Sequence, residues 1–191
     1  SHSAERIRAA MHALLAYSER VVRGGIERLP DGCFEATDVM EAIEGDLQLR
    51  AAITIDGDEL EVDFAGTAPQ HAGNLNCPLS VTRSATYFVV RCLTDPDVPA
   101  SAGTFAPVRI VAPPGSLVNA EPGAAVAGGN VETSCRIVDV LFGHPAGPLV
   151  GDADDRRPAG CEQLAGEGPG PVEVLEDLEA EDEVEALRVL E

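Results

Sequence analysis

Two alternating runs joined by an Asp-Gly pair limit the folds open to this chain more than any other feature. Residues 47–55 and 59–64 each alternate apolar and polar side chains, as strands with one buried face do. The loop between them is Asp56-Gly57-Asp58, and Asp-Gly between alternating runs is among the strongest hairpin signals. The sequence therefore predicts an antiparallel hairpin, which needs a further layer to cover its apolar face.

Helices are expected to supply that layer. Apolar side chains repeat at helical spacing in three segments, which are residues 4–23, 80–94 and 131–142. Gly24 and Gly25 are expected to end the first helix, and Asn130 to cap the third. Residues 107–112 are typical of another strand. The predicted fold class is therefore α+β, an antiparallel hairpin or sheet with packing helices and an acidic, flexible C-terminal tail.

Composition divides the chain near residue 145. Residues 145–172 combine Gly, Pro and charged pairs without periodicity, and residues 172–190 mix acidic residues with Val and Leu. The last 40 residues hold 14 acidic and 3 basic side chains, whereas the whole chain of 191 residues has a net charge of -20. We therefore expect a partial domain over residues 1–144, followed by an acidic tail over residues 145–191 that is disordered or weakly helical.

The charge and the cysteines indicate which partners and which compartment fit the protein. A strongly negative chain without a basic patch is expected to bind neither nucleic acid nor an anionic membrane surface. No run of 18 or more apolar residues predicts a membrane-spanning helix. The five cysteines are odd in number, widely spaced and without a CxxC pair, which is typical of a reduced, cytoplasmic protein.

Residues 60–78 carry an unusual density of side chains suited to chemistry. Asp63 lies on the polar face of its strand just before a turn, where functional carboxylates occur but where ordinary turn residues also occur. Asn74 and Asn76 either hydrogen-bond an amide or imide substrate or lock the backbone of the turn. His71 either faces the turn that follows it or is exposed in the loop.

A second candidate segment starts at Gly128. Gly128-Gly129-Asn130 precedes a predicted helix, where free backbone N–H groups can bind a carboxylate or phosphate, although Gly-Gly is also common in loops. Glu132 falls in the first turn of that helix, where the helix dipole favours a negative charge. Glu132 and Asp63 are the carboxylates best placed for acid–base work or metal binding.

Both segments carry a family resemblance. Residues 62–78, VDFAGTAPQHAGNLNCP, resemble the signature V-D-F-x-G-T-x-x-Q-x-x-G-x-x-N-x-P of the hydantoinase B / 5-oxoprolinase family, which includes N-methylhydantoinase B and acetone carboxylase-related subunits. The likeness extends to Gly129-Asn130-Val131-Glu132-Thr133 and covers residues 14–143. Members of this family are longer, so the chain resembles an internal or C-terminal-side fragment of such a protein.

The resemblance implies ATP-dependent hydrolysis of a cyclic amide, such as hydantoin or 5-oxoproline, by a hydrolase that works with a hydantoinase A-like partner. The resemblance also implies that ATP is bound by that partner, which agrees with the lack of a phosphate-binding loop in this chain. The implied catalytic residues are Asp63 and Glu132, and the implied substrate-binding residues are Asn74, Asn76, Gly129 and Asn130.

A divalent metal is one implication for the full-length family. However, the family's His- and Asp-containing motif of the form H-H-x-D-x-G-G belongs upstream of the matched region and is not found here. No metal ligand is therefore assigned in this chain. The alternative is a non-catalytic subunit-interaction module or a truncated relic.

Overall fold

The computed structural model describes residues 3–43 and 45–143, in which three helices pack against a four-stranded sheet. The predicted α+β class is therefore confirmed, while the predicted acidic tail over residues 145–191 lies outside the described residues. The strands are β1 (Gly32–Met40), β2 (Leu47–Asp56), β3 (Glu59–Asp63) and β4 (Val108–Val111). The helices are α1 (Ala4–Ile26), α2 (Leu79–Leu93) and α3 (Ser134–Phe142), with a 3-10 turn at Gly103–Phe105 and a π-helical turn at Gly129–Thr133.

The predicted hairpin is confirmed as β2 and β3. Asp56 pairs with Glu59, so the loop consists of Gly57 and Asp58. Gly57 has a φ of 59°, the left-handed conformation that glycine adopts at little cost, and its N–H donates to Asp31 Oδ1 at 2.9 Å. The hairpin is thereby tied to the chain that enters β1.

The strand β1 was missed by the sequence analysis, and Asp38 explains why. Phe34 and Met40 are buried at alternate positions of β1, but Asp38 occupies an intervening position on the same face and breaks the apolar alternation. Its carboxylate forms an ion pair with Arg136 on α3 at 2.7 Å. The ion pair with Arg136 therefore stabilises a carboxylate at a position where strand alternation predicts an apolar side chain.

The sheet order is β1-β2-β3-β4, with antiparallel pairs on both sides of β2 and a parallel pair between β3 and β4. The segment that carries α2 connects the two parallel strands, as parallel neighbours require. All three helices supply buried side chains to the core, and each such aliphatic side chain contributes about 1.5–3 kcal/mol by its removal from water. These side chains include Val22 and Ile26 of α1, Val89 and Val90 of α2, and Ile137 and Leu141 of α3.

The end of α1 differs from the prediction. Gly24 and Gly25 do not end the helix, which continues to Ile26. Gly25 is buried against Thr94, and a Cβ built on Gly25 would lie 2.5 Å from Thr94 Cβ. The glycine therefore serves a close approach between α1 and the end of α2, not a helix stop.

This contact predicts opposite effects for two adjacent glycines. Gly25→Ala is expected to lower the free energy of unfolding by about 1–3 kcal/mol, because the added methyl overpacks the contact with Thr94. Gly24 has nothing within 4 Å of its Cβ position, so Gly24→Ala is expected to stabilise α1 by about 0.5–1 kcal/mol. Urea unfolding of both variants measures the difference, and equal effects would contradict the packing argument.

The beginning of the third helix also differs from the prediction. A π-helical turn over Gly129–Thr133 precedes α3, so Asn130 lies inside the helical segment and the capping position is taken by Gly128. Gly143 ends α3 with a φ of 72°.

The structure agrees only in part with the prediction that the cysteines are reduced. Cys77, Cys92 and Cys135 carry free thiols, whereas Cys33 on β1 is disulfide-bonded. Within residues 3–43 and 45–143, none of the helices has the length and apolarity needed to cross a membrane.

Candidate functional site

The two segments singled out in the sequence lie against each other. The carbonyl oxygen of Asn74 accepts the N–H of Gly128 at 2.8 Å and the N–H of Gly129 at 3.2 Å. The hydroxyl of Thr133 donates to the carbonyl oxygen of Leu75. We call these two joined segments, residues 71–76 and 124–133, the twin-loop site. Because about 50 residues separate them in sequence, only the fold brings them together.

Asn76 is the centre of the twin-loop site. Its side chain is fully buried, and its Oδ1 accepts the N–H of His71 at 2.6 Å. Its Nδ2 lies within hydrogen-bond distance of three carbonyl oxygens, those of His71 at 2.8 Å, Gly73 at 2.9 Å and Ala125 at 2.9 Å. Of the two uses open to Asn76 in the sequence, these contacts favour the lock on the backbone turn.

Gly129 lies in direct contact with the backbone of Asn76. A Cβ at position 129 would lie 1.9 Å from the carbonyl oxygen of Asn76 and 3.0 Å from Cys77 Cα. Gly129 has no left-handed φ, so the requirement for glycine here is purely steric. The N–H groups of Gly128 and Gly129 already donate to Asn74, which leaves these two groups less suited to binding an anion than the sequence suggested.

His71 is half-buried and does not have the fully exposed position that the sequence left open. Its Nδ1 accepts the N–H of Gly73 at 2.9 Å, so the neutral imidazole carries its proton on Nε2. Asn76 meanwhile binds both backbone groups of His71. The ring is therefore held facing the turn that follows it, which is the other position that the sequence left open.

Three of the predicted site residues present their side chains to solvent. Asn74, Asn130 and Glu132 are exposed on adjoining parts of the twin-loop site. Amide groups at Asn74 and Asn130 can both donate to and accept from an amide ligand, and the carboxylate of Glu132 can accept a proton. These side chains are the ones available to a ligand.

Asp63 has a different environment at the end of β3. It is 9 % exposed, and its Oδ1 accepts the N–H of Ala65 at 2.8 Å, which closes a turn. Among the described residues, no hydrogen bond or ion pair joins Asp63 to Glu132. The structure thus brings Asn74, Asn76, Gly129, Asn130 and Glu132 together and leaves Asp63 apart from them, at the end of the interior strand β3.

Arg50 holds the turn that follows Asp63, and sequence reasoning missed it. Its Nη1 donates to the carbonyl oxygen of Ala65 at 2.7 Å, and its Nη2 forms an ion pair with Glu35 at 2.6 Å. Thr67 Oγ1 also accepts the backbone N–H of Arg50 at 3.1 Å and donates to the backbone carbonyl of Arg50 at 2.9 Å. Thr67 is the threonine of the V-D-F-x-G-T signature, whereas no motif marks Arg50, because its partners are brought close only by the sheet.

The side chains of this region do not meet the needs of a metal ion. In the described part of the chain, no three side chains of His, Cys, Asp or Glu lie together in an arrangement that could hold one. The side chains that could donate to a metal ion among the described residues therefore do not form a metal centre. No chemical step is assigned to a metal on this chain.

Cys77 follows Asn76 directly and is fully buried. Burial raises the pKa of the Cys77 thiol, and a hydrogen bond with Thr82 opposes this only in part. The thiolate, which is the reactive form, is therefore disfavoured at neutral pH. The thiol ionises more readily in the unfolded chain than in the folded one. The protonated Cys77 thiol therefore favours the folded state below the pKa that it has in the unfolded chain, and this contribution to stability is lost as pH rises above about 8.5.

This burial predicts the pattern of alkylation by iodoacetamide. In the folded chain at neutral pH, Cys92 and Cys135 are expected to react because they are exposed, whereas Cys77 should react only after denaturation. Peptide mapping by mass spectrometry distinguishes these sites. Equal labelling of Cys77 and Cys92 in the folded protein would show that the chain opens directly after the twin-loop residue Asn76.

A groove of ≈ 470 Å³ lies beside the twin-loop site, between α2 and the segment that contains α3. Val81 and Phe88 line one side, and Val138 lines the other. Asn130 belongs to both the groove and the twin-loop site. We call this feature the α2–α3 groove.

Comparison with known proteins extends the match over most of the chain. Residues 1–161 match the family described as Hydantoinase B/oxoprolinase. Similar proteins include 5-oxoprolinase of Saccharomyces cerevisiae, which is 34% identical over 142 residues covering 74% of this chain and 10% of that protein. The B component of a putative D-/L-hydantoinase from a Pseudomonas species is 34% identical over 129 residues, covering 60% of this chain and 22% of that protein.

A solved structure shows the same fold. The ATP-dependent caprolactamase of Pseudomonas jessenii superposes with a TM-score of 0.65 at 23% identity, over 74% of this chain and 26% of that one. The chain thus spans about a tenth of the yeast relative and about a quarter of the other two.

Proposed function

The chain belongs to the Hydantoinase B/oxoprolinase family, and from this premise we propose that it forms part of an enzyme subunit that hydrolyses a cyclic amide. The substrate class would be a small ring such as hydantoin or 5-oxoproline, opened at a C–N bond in an ATP-dependent reaction. ATP would be bound by a hydantoinase A-like partner. The proposal includes a cytoplasmic location, which the free thiols of Cys77, Cys92 and Cys135 support and the disulfide bond of Cys33 opposes.

The observation that supports this proposal most directly is the twin-loop site. The two segments that carry the family's motifs are joined through Asn74, Leu75 and Asn76, and their exposed amides share one surface with a carboxylate. A generic core has no need for a buried asparagine that binds two loops, whereas a preorganised ligand surface does. Relatives whose names specify 5-oxoprolinase and D-/L-hydantoinase agree with an amide ligand.

In this proposal each side chain has a defined part. Asn74 and Asn130 would bind the ring amide through hydrogen bonds, and Glu132 would transfer a proton during ring opening. Asn76 and Gly129 would position the other residues, since the buried amide of Asn76 is used by the backbone and Gly129 has no side chain. Asp63 would orient the turn after β3. Whether it also takes part in catalysis is tested by the Asp63→Asn variant in the experiment that follows.

The test is reconstitution with the missing components. The 191-residue chain is combined with a hydantoinase A-like subunit, ATP, and the Pseudomonas hydantoinase B component from which the matching segment has been deleted. Ring-opened product from hydantoin or 5-oxoproline is then measured by chromatography. Glu132→Gln is expected to lower product formation by about 100-fold or more, because the group that transfers the proton is removed.

Glu121→Gln is the matched control, since Glu121 is also an exposed carboxylate near the same loops. It is expected to leave turnover unchanged within about twofold. Asp63→Asn is measured in parallel, and a loss equal to that of Glu132→Gln would assign Asp63 a catalytic part. Turnover that survives Glu132→Gln would overturn the role given to Glu132.

The second candidate is a non-catalytic module that contributes contacts to a larger assembly. Two observations favour it: the chain spans about a quarter or less of its relatives, and its described residues form no metal centre. In that case the chain would bind its partners, and product would form equally with wild-type chain and with Glu132→Gln. Absence of both binding and turnover would contradict both candidates.

A further inference from the structure

The α2–α3 groove is apolar although it faces solvent. Phe88, which lines the groove, is 55% exposed, and Val131, the residue after the groove-lining Asn130, is 58% exposed. Large apolar side chains that are exposed to this extent on two neighbouring elements are typical of a contact surface.

Both walls of the groove repeat at helical spacing. On α2, Val81, Ala85 and Phe88 lie at i, i+4 and i+7. Across the groove, Cys135 and Val138 are three residues apart on α3. Val81, Ala85 and Val138 pack against the core as well as lining the groove, whereas Phe88 is left exposed. An exposed aromatic side chain that continues an apolar stripe is typical of a surface that another element covers.

The size of the relatives indicates what covers the groove. The chain corresponds to 26% of the caprolactamase chain and 22% of the Pseudomonas hydantoinase B component, so most of such a protein lies outside the matched segment. Two neighbouring ridges at helical spacing fit a third helix laid between them. Asp139, an ionisable carboxylate that lines the groove, would pair with a basic residue of that helix.

We propose that the α2–α3 groove receives an amphipathic helix from the remaining part of a hydantoinase B-like subunit, anchored on Phe88 and Val131. The proposal rests on the proposed function, because it takes the occupant from the same subunit. Asn130 lines both the groove and the twin-loop site, so the docked helix would form the missing wall beside Asn74 and Glu132. The ligand site is complete only when the two parts associate.

Association is measured with the Pseudomonas hydantoinase B component that lacks its matching segment, co-expressed with the full chain and analysed by size-exclusion chromatography and calorimetry. Phe88→Glu and Val131→Glu are each expected to weaken binding by about tenfold or more, because each places a charge at an apolar anchor that is buried in the complex. Both positions are exposed in the separate chain, so thermal unfolding of that chain should not change. Val39→Glu, at a 44% exposed valine on the edge strand β1, is the matched control and should change affinity less than about twofold.

A second measurement keeps the test independent of how the remaining part behaves alone. In a chimaera, this chain replaces the matching segment of the Pseudomonas hydantoinase B component. Cys135 lines the groove and is exposed in the separate chain, so its alkylation in the chimaera is expected to slow by about tenfold or more. Phe88→Glu should restore the faster rate.

Each outcome has a distinct meaning. Binding that Phe88→Glu and Val131→Glu leave unchanged, or equal alkylation of Cys135 in both proteins, would overturn the groove assignment while the proposed function stands. A wild-type dimer that Phe88→Glu dissociates would overturn it in favour of a second copy as the occupant. Failure of the chain to associate with both the remaining part and the hydantoinase A-like subunit would contradict the proposed function as well.

Discussion

Gly129→Ala is expected to lower the free energy of unfolding by about 3 kcal/mol or more, although it adds only one methyl group. The new Cβ would lie 1.9 Å from the carbonyl oxygen of Asn76, a distance that no side-chain rotation can relieve because both atoms are fixed by the backbone. One of the two loops must move. Movement would separate the N–H groups of Gly128 and Gly129 from the carbonyl oxygen of Asn74.

Chemical denaturation of the variant and the wild type measures this effect, and Gly24→Ala is the control. Both substitutions replace a glycine that has no left-handed φ, but position 24 has open space around it. The two variants should therefore change stability in opposite directions. For a chain of this size, the loss at position 129 corresponds to a fall in Tm of roughly 10 °C. An unchanged Tm would show that the two loops are not in contact.

The damage from Gly129→Ala should also reach the ligand surface. Asn130 and Glu132 closely follow residue 129, and their position depends on the same contact with Asn74. In the reconstituted assay, we expect turnover to fall even at temperatures where the variant remains folded. A stable, folded variant with full turnover would argue against the twin-loop site as the ligand surface.

Asn76→Ala is expected to have an effect of similar size by a different mechanism. The substitution removes a buried amide that contacts four backbone groups: the N–H and carbonyl of His71 and the carbonyls of Gly73 and Ala125. Each buried polar group left without a partner costs about 1–3 kcal/mol, reduced where water enters the space. We therefore expect a loss of about 3–5 kcal/mol in the free energy of unfolding.

Asn74→Ala provides the matched control in the same loop. The side chain of Asn74 is exposed, and its loop contact is made by the backbone carbonyl, which alanine retains. Stability should therefore change by less than about 0.5 kcal/mol, while ligand binding should weaken if the Asn74 amide contacts the substrate. Equal losses of stability for the two variants would contradict the distinction between a positioning asparagine and a ligand-binding one.

Asn76→Asp tests whether the donors of the amide matter. The new carboxyl group can still accept the N–H of His71, but it would place negative charge against three carbonyl oxygens. The variant should therefore be less stable than the wild type near neutral pH. The deficit should shrink as pH falls toward about 4, where the carboxyl group becomes protonated and donates again. A deficit that does not depend on pH would argue that packing, and not the donors, is what matters.

Local pattern was sufficient for most of the elements. The β2–β3 hairpin and α2 were predicted within about two residues of their ends, because alternation, helical spacing and turn residues act between near neighbours. β1 was missed because Asp38 takes a core-facing position that only Arg136, 98 residues away, makes tolerable. The end of α1 was predicted too early because the close contact of Gly25 with Thr94 cannot be seen from glycine content.

The candidate site shows the same division. The family, the hairpin and the residue types of both loops could be read from the chain alone, since they follow from ordered motifs and short-range periodicity. The folded contacts were needed to show that Asn76 is buried and holds the turn, and that the carbonyl oxygen of Asn76 requires glycine at position 129. They were also needed to show that Asn74, Asn130 and Glu132 remain exposed. Burial, steric exclusion and hydrogen-bond satisfaction depend on which distant segments meet, and no local pattern records that.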